Sequence, residues 1–146
     1  GCPGNKALIR RKDLGEISGQ YADMVYVTEE DPGEEPLQKI SREIADFVEA
    51  QNGKYKIIDD RGEAISTAIN EMGADSVILI TGKGNETRQK RGIEYIDCPT
   101  DVEYATKAPA IIATTIAKAI SNLVTNFFFI KTVQSGSVIQ LFVIRH

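Results

Sequence analysis

A chain of 146 residues that is 42% hydrophobic and 26% charged makes one compact domain, with room for a short appendage, and is not disordered. A net charge of −4 argues against a nucleic-acid partner. Cys2 and Cys98 are too few for a disulfide framework and suit a reducing, cytoplasmic setting, and no signal peptide opens the sequence.

Gly1 to Gly4 reads as a loop. Leu14, Ile17 and Tyr21 then recur at helical spacing, with Gly15 and Gly19 each weakening that helix by about 1 kcal/mol relative to alanine. Met24–Thr28 reads as a strand that stops at an acidic, proline-bearing loop, Glu29 to Pro36. Leu37 to Gln51 is an amphipathic helix carrying Leu37, Ile40, Ile44, Phe47 and Val48 on one face. Tyr55–Ile58 is extended. Asp60 and Glu63 have capping-box spacing and start a helix with Ala64, Ile65, Ala68, Ile69 and Met72 on one stripe.

Val77–Ile80 is a short apolar run, expected to be a parallel strand buried on both faces, and it runs into the glycine turn Gly82-Lys-Gly-Asn-Glu86. A polar turn, a short extended segment Ile93–Ile96 and a helix start near Asp101 follow. The alternation predicts an α/β fold: a three-layer, mostly parallel, Rossmann-like sheet with helices on both faces.

The charge shifts along the chain. Residues 108–146 contain Lys118, Lys131 and Arg145 and no acid, a net +3, while residues 1–107 hold all 21 acids and a net −7. The division suggests a domain over 1–107 and an apolar tail over 108–146. In the tail, 110–124 reads as a helix, and Phe127–Val133 and Val138–Ile144 read as a hairpin. Lys118, Asn122 and Asn126 argue against a membrane span there.

Several chemistries are not supported. Gly82-Lys83 lacks the upstream glycine and the Ser/Thr of a P-loop. His146 is the sole histidine, so neither a Ser-His-Asp triad nor a zinc site is expected, and no residue is assigned as catalytic or as a metal ligand. Three loops remain, at the carboxyl ends of the expected strands, where open α/β sheets bind ligands. They are the cationic loop Lys6 to Lys12, the acidic loop Glu29 to Glu35, and the glycine turn with Glu86. Five carboxylates in the seven residues Glu29 to Glu35 would attract a cation, as an amino acid with a charged side chain would present.

The residues in these loops resemble the C-terminal domain of the Mur ligases, in the branch that adds the third amino acid of the peptidoglycan precursor. Gly1-Cys-Pro-Gly-Asn-Lys6 is similar to the opening G-x-G-G-D-R, and Arg10-Arg11-Lys12 to its K-R-P. Thr28-Glu-Glu-Asp-Pro32 is similar to T-x-D-N-P, and Glu34-Glu35-Pro36 to the acidic-proline continuation. Asp59-Asp60-Arg61-Gly-Glu-Ala-Ile65 corresponds to D-R-x-E-A-I, and Gly82-Lys-Gly-Asn-Glu86 to G-K-G-H-E with Gln89 in place. Asp101-Val-Glu103 is similar to the closing D-D-R-E. The likeness covers residues 1 to about 107.

The resemblance implies an acceptor-binding domain of an ATP-dependent amide ligase that extends UDP-MurNAc-L-Ala-D-Glu. ATP and Mg2+ would be held mainly outside this chain, as would the UDP-sugar peptide, so that the chain alone does not catalyse ligation. It also implies a first strand ending just before Gly1, in a central slot between Met24–Thr28 and Val77–Ile80. Val138–Ile144 is apolar enough to fill that slot; running parallel to its neighbours, it would end near Gly1.

Carried over by motif, Lys6 meets the acceptor's carboxylate, and Glu30, Asp31, Gly82 and Glu86 stand at acceptor-binding positions. Asn85 replaces the family's histidine. Family members that add meso-diaminopimelate carry arginine after the proline. This chain has Gly33 there, which favours L-lysine or a related diamino acid such as ornithine. The alternatives are a non-catalytic amino-acid-binding module and an inert ligase fragment, with the tail as a membrane attachment.

Overall fold

The computed structural model describes residues 1–6, 8–73, 75–108 and 142–145. Helix α1 spans Leu8–Tyr21, strand β1 Met24–Val27, α2 Leu37–Ala50, β2 Tyr55–Ile57, α3 Arg61–Glu71 and β3 Ser76–Leu79. A hairpin of β4 (Arg88–Arg91) and β5 (Glu94–Asp97) follows, then α4 (Asp101–Lys107) and β6 (Phe142–Arg145). The expected helix 110–124 and the strand Phe127–Val133 lie outside the described residues.

The main sheet has the order β2-β1-β6-β3. Strand β1 pairs with β2 in parallel, placing Val25 opposite Tyr55 and Val27 opposite Ile57. Strand β6 lies in the slot between β1 and β3, but it is antiparallel to both, with Val143 opposite Met24 on one side and Ile78 on the other. The expectation of a strand in that slot is met for residues 142–144; the expectation of a parallel direction is not. Arg145 faces Ser76, at the amino end of β3, whereas Gly1 lies against Thr28 and Glu30 at the opposite edge. A short apolar run offers the same side chains in either direction, so its pattern does not encode which way it enters. The sheet is therefore mixed, and its parallel ladder is the β1–β2 pair.

Alternation along β1 distributes the core. Val25 and Val27 join Leu14, Ile40, Ile44 and Val48 from α1 and α2. Tyr26 turns the other way and packs with Ala68 of α3. Strand β3 uses one face only: Ile78 and Ile80 pack near Ile65, Ile69 and Ala108, while Val77 and Leu79 are 58% and 45% exposed. This corrects the expectation of a strand buried on both faces. Helices α1 and α2 pack over the β1 side of the sheet, so β3 alternates like a half-covered strand.

Helix α1 also departs from its apolar pattern. Ile17 and Tyr21 are exposed, and the buried stripe is Arg11, Leu14, Gly15, Ser18 and Gly19. A Cβ on Gly15 would sit 2.4 Å from Phe47 Cβ, and one on Gly19 2.7 Å from the Val48 carbonyl. The two glycines bring α1 and α2 into close contact. We therefore expect Gly15→Ala to lower stability by about 1–3 kcal/mol through overpacking, although helix propensity alone would add about 1 kcal/mol. Urea unfolding decides between them, and a more stable variant would refute the close packing.

Candidate functional site

The carboxyl ends of β1 and β3 converge on Arg61, the first residue of α3. Asp60 caps that helix by accepting from the Glu63 amide at 2.8 Å. Arg61 stands one turn before Ala64 and Ile65, at the head of the buried stripe, so its side chain is carried inward. Its Nε and Nη2 grip Asp101 at 2.6 and 2.7 Å. Its Nη1 donates to the Glu29 carbonyl at 3.3 Å and its Nη2 to that of Thr81 at 2.9 Å. Asp101 in turn accepts from the Gly84 amide at 2.7 Å. It opens α4, where Thr100 and Glu103 complete a reciprocal capping box. One buried ion pair thereby ties the ends of both strands to the glycine turn.

Within that turn Gly82 has φ +118° and Gly84 φ +56°, which disfavour other residues. A Cβ on Gly82 would lie 3.4 Å from Arg61 Nη2 and 3.6 Å from Glu30 Oε2, so Gly82 opens onto both. Between the two glycines, Lys83 folds inward. Its side chain is 2% exposed, and its ammonium donates to Asp31 at 2.8 Å and to Glu86 at 2.7 Å. Burial lowers the pKa of that ammonium, but the two carboxylates outweigh it and hold the group above its ordinary value.

The acidic loop is therefore less charged than its sequence suggests. Glu29 pairs with Arg91, Asp31 with Lys83, and Glu35 with Arg11 and Lys39. Glu35 accepts from Arg11 Nη1 and Nη2 at 2.9 and 2.6 Å and from the Asn5 amide at 2.6 Å. The Arg11 guanidinium holds its carboxyl well below the usual range. Glu30 differs, because burial raises its carboxyl above the ordinary value against the pull of Arg61 and Arg10.

Of the expected site residues, Glu30, Asp31, Gly82 and Glu86 are brought together around Lys83 and Arg61. Lys6 is exposed just before α1. Its loop is drawn to the same edge, with the Gly4 amide on the Asp31 carbonyl at 2.9 Å. Sequence reasoning placed Arg11, Arg61 and Asp101 only within loops or motifs, expected Lys83 to project at the ligand edge where it is instead buried, and assigned nothing to Arg91. A legible signal existed for Arg61, which falls on the stripe already read from Ala64 and Ile65, where an unpaired charge would not be tolerated.

Burial raises the thiols of Cys2 and Cys98 above their usual range, so neither is an activated thiolate. Among the described residues no group of His, Cys, Asp and Glu could hold a metal ion, and no helix is long and apolar enough to cross a membrane.

Comparison with known proteins gives this geometry a family. The pattern described as "Mur ligase, glutamate ligase domain" matches residues 1–84. The chain belongs to the Mur ligase family. A UDP-N-acetylmuramoyl-L-alanyl-D-glutamate–2,6-diaminopimelate ligase of Alkaliphilus metalliredigens is 37% identical over 108 residues, which is 72% of this chain and 22% of that protein. The ligase of the same name from Rickettsia bellii is 41% identical over 96 residues, 66% of this chain and 20% of its own. A UDP-N-acetylmuramyl-tripeptide synthetase of Lactobacillus delbrueckii is 40% identical over 95 residues, 64% of this chain and 18% of its own. The chain thus spans about a fifth of the length of these relatives.

In this Mur ligase chain the Glu35 cluster predicts a pH response. A carboxyl depressed by folding contributes stability above its unfolded pKa of about 4.3, and that contribution is lost as pH falls toward the folded value. The melting temperature should therefore drop steeply below about pH 4. Glu35→Gln should flatten that limb while lowering stability near pH 7 by about 1–3 kcal/mol, because buried Arg11 loses its ionised hydrogen-bond partner Glu35 and keeps only the pair with Glu43. An unchanged acid limb in the variant would assign the effect to other carboxylates.

Proposed function

We propose that this chain is the acceptor-binding part of an ATP-dependent ligase that joins a diamino acid to UDP-MurNAc-L-Ala-D-Glu in peptidoglycan synthesis. The observation that carries this reading is the convergence of two motif loops, with Asp31 and Glu86 joined through Lys83 and with Gly82 open onto Glu30. Lys6 takes the acceptor's α-carboxylate. Glu30 and Glu86, supported by Asp31, take its side-chain ammonium, and Gly82 allows close approach. The domain contributes by positioning the attacking amine. ATP and Mg2+ enter the reaction from other parts of such a ligase, in the cytoplasm, and the product feeds wall growth and hence cell shape and division.

Two acceptors fit this class. Gly33 supports L-lysine, because no cation stands at that position for a second carboxylate. The relatives named as 2,6-diaminopimelate ligases support an acceptor with that carboxylate. The other support for lysine, an unneutralised acidic loop, is weakened by the pairing of Glu29, Asp31 and Glu35 within the chain.

NMR titration with L-lysine and with L-norleucine, which lacks only the second ammonium, tests the reading. Lysine should bind more tightly and shift the amides of Gly82 and Glu86. Glu86→Gln should weaken lysine binding by about tenfold, whereas Glu16→Gln, in an exposed pair with Lys12, should leave it unchanged. Equal binding of the two amino acids would remove the ammonium from the proposal.

A further inference from the structure

Neither Glu29 nor Arg91 touches the acceptor in the reading above. Glu29 follows β1 with its side chain 5% exposed, while Arg91 closes β4 with its side chain 49% exposed. Arg91 Nε donates to Glu29 Oε2 at 3.1 Å, and its Nη2 donates to Oε1. That bond pair uses one edge of the guanidinium. The plane carries five N–H donors, and the second edge, Nη1 with the remaining proton of Nη2, makes no hydrogen bond among the described residues. A buried carboxylate thus holds the group by one fork and leaves the other in water. This is a cation oriented in advance for a planar anion.

Its place is the acceptor edge. Gly33 bridges to Arg91, the Gly33 amide donates to the Lys90 carbonyl at 3.2 Å, and the Gly92 amide donates to the Gly33 carbonyl at 2.8 Å. The Lys90 amide donates to Asp31 Oδ1 at 2.9 Å. Arg91 is therefore fastened to the loop that carries Glu30 and Asp31. Gly33 has φ +58°, and a Cβ there would meet nothing closer than the Gly92 carbonyl at 3.8 Å, so the space beside this bridge is open. The nearby acid Asp60 accepts from the Glu63 amide through Oδ1 as the cap of α3 and makes no hydrogen bond to Arg91 among the described residues.

We infer that Arg91, held by Glu29, takes the carboxylate at the far end of the acceptor, and that the acceptor is a diamino dicarboxylic acid of the diaminopimelate type. The inference rests on the acceptor-binding reading of this edge. Diaminopimelate and lysine share an α-carboxylate, an α-amine and a second amine, and they differ by one carboxylate beside that second amine. Arg91 offers that carboxylate a bidentate partner, supplied by the hairpin rather than by the residue after Pro32.

Titration of the 146-residue chain with meso-diaminopimelate and with L-lysine, followed by NMR, tests it. The chain should bind diaminopimelate about tenfold or more tightly. Arg91→Lys keeps a charge for Glu29 but loses the second fork. The double variant Glu29→Gln with Arg91→Gln removes both charges and leaves no buried carboxylate unpaired. In both variants the preference should collapse while lysine affinity holds, with thermal melts checking that each is folded. A parallel loss of both affinities would make Arg91 a structural residue and overturn the inference. Lysine binding as tightly as diaminopimelate to the unaltered chain would also overturn it, leaving the acceptor-binding reading intact. Binding of neither amino acid would refute that reading, and the inference with it.

Discussion

The carboxyl edge of this domain depends on one constraint: a guanidinium buried at the head of α3 must have each of its nitrogens hydrogen-bonded. Arg61 meets that demand with the carboxylate of Asp101 and with the carbonyls of Glu29 and Thr81. Each acceptor belongs to a different segment, so satisfying one side chain fixes the ends of β1 and β3, the start of α4 and, through Asp101, the Gly84 amide. The desolvation of such a pair consumes much of its Coulombic gain. Its contribution is positional, because any shift of these segments would leave a buried polar group without a partner.

The same device recurs along the acidic loop. Glu29, Asp31 and Glu35 each meet a cation from another element: Arg91 from β4, Lys83 from the glycine turn, and Arg11 from α1 with Lys39 from α2. A segment that would otherwise repel itself becomes a hub joining both helices of one layer to the hairpin. Glu30 lies among these paired acids with its carboxyl raised by burial. The hub ties the loop to these elements, Glu86 shares Lys83 with Asp31, and the second edge of Arg91 makes no hydrogen bond among the described residues. Preorganised charges of this kind cost little reorganisation when a small ionic ligand arrives.

The packing beneath the edge follows from small residues as much as large ones. Gly15 and Gly19 allow α1 to approach α2 within reach of Phe47 and Val48, and Ser18 between them satisfies its hydroxyl on the Leu14 carbonyl at 2.6 Å. That close approach places Arg11 at 1% exposure beside Glu35. The helix interface and the anchor of the acidic loop are thus one arrangement, and the exposed Ile17 and Tyr21 lie outside it.

Much of this was legible in the sequence. Period-3.6 stripes placed α2 and α3, the apolar runs placed β1 and β3, and five ordered motifs brought Glu30, Asp31, Gly82 and Glu86 to one edge. Those features are local: a stripe or a turn is defined by spacing, and spacing is written in the chain. The hairpin strand β4, the direction of β6, the glycine face of α1 and the ion pairs were left to the tertiary structure. Arg88–Arg91 is wholly polar and becomes a strand only because β5 and Gly33 pair with its backbone. The loop acids read as free charge because, apart from Lys39 four residues after Glu35, the partners of Glu29, Asp31 and Glu35 lie from 24 to 62 residues away in sequence. A charge's meaning depends on what faces it, and only folding sets which distant residues face each other.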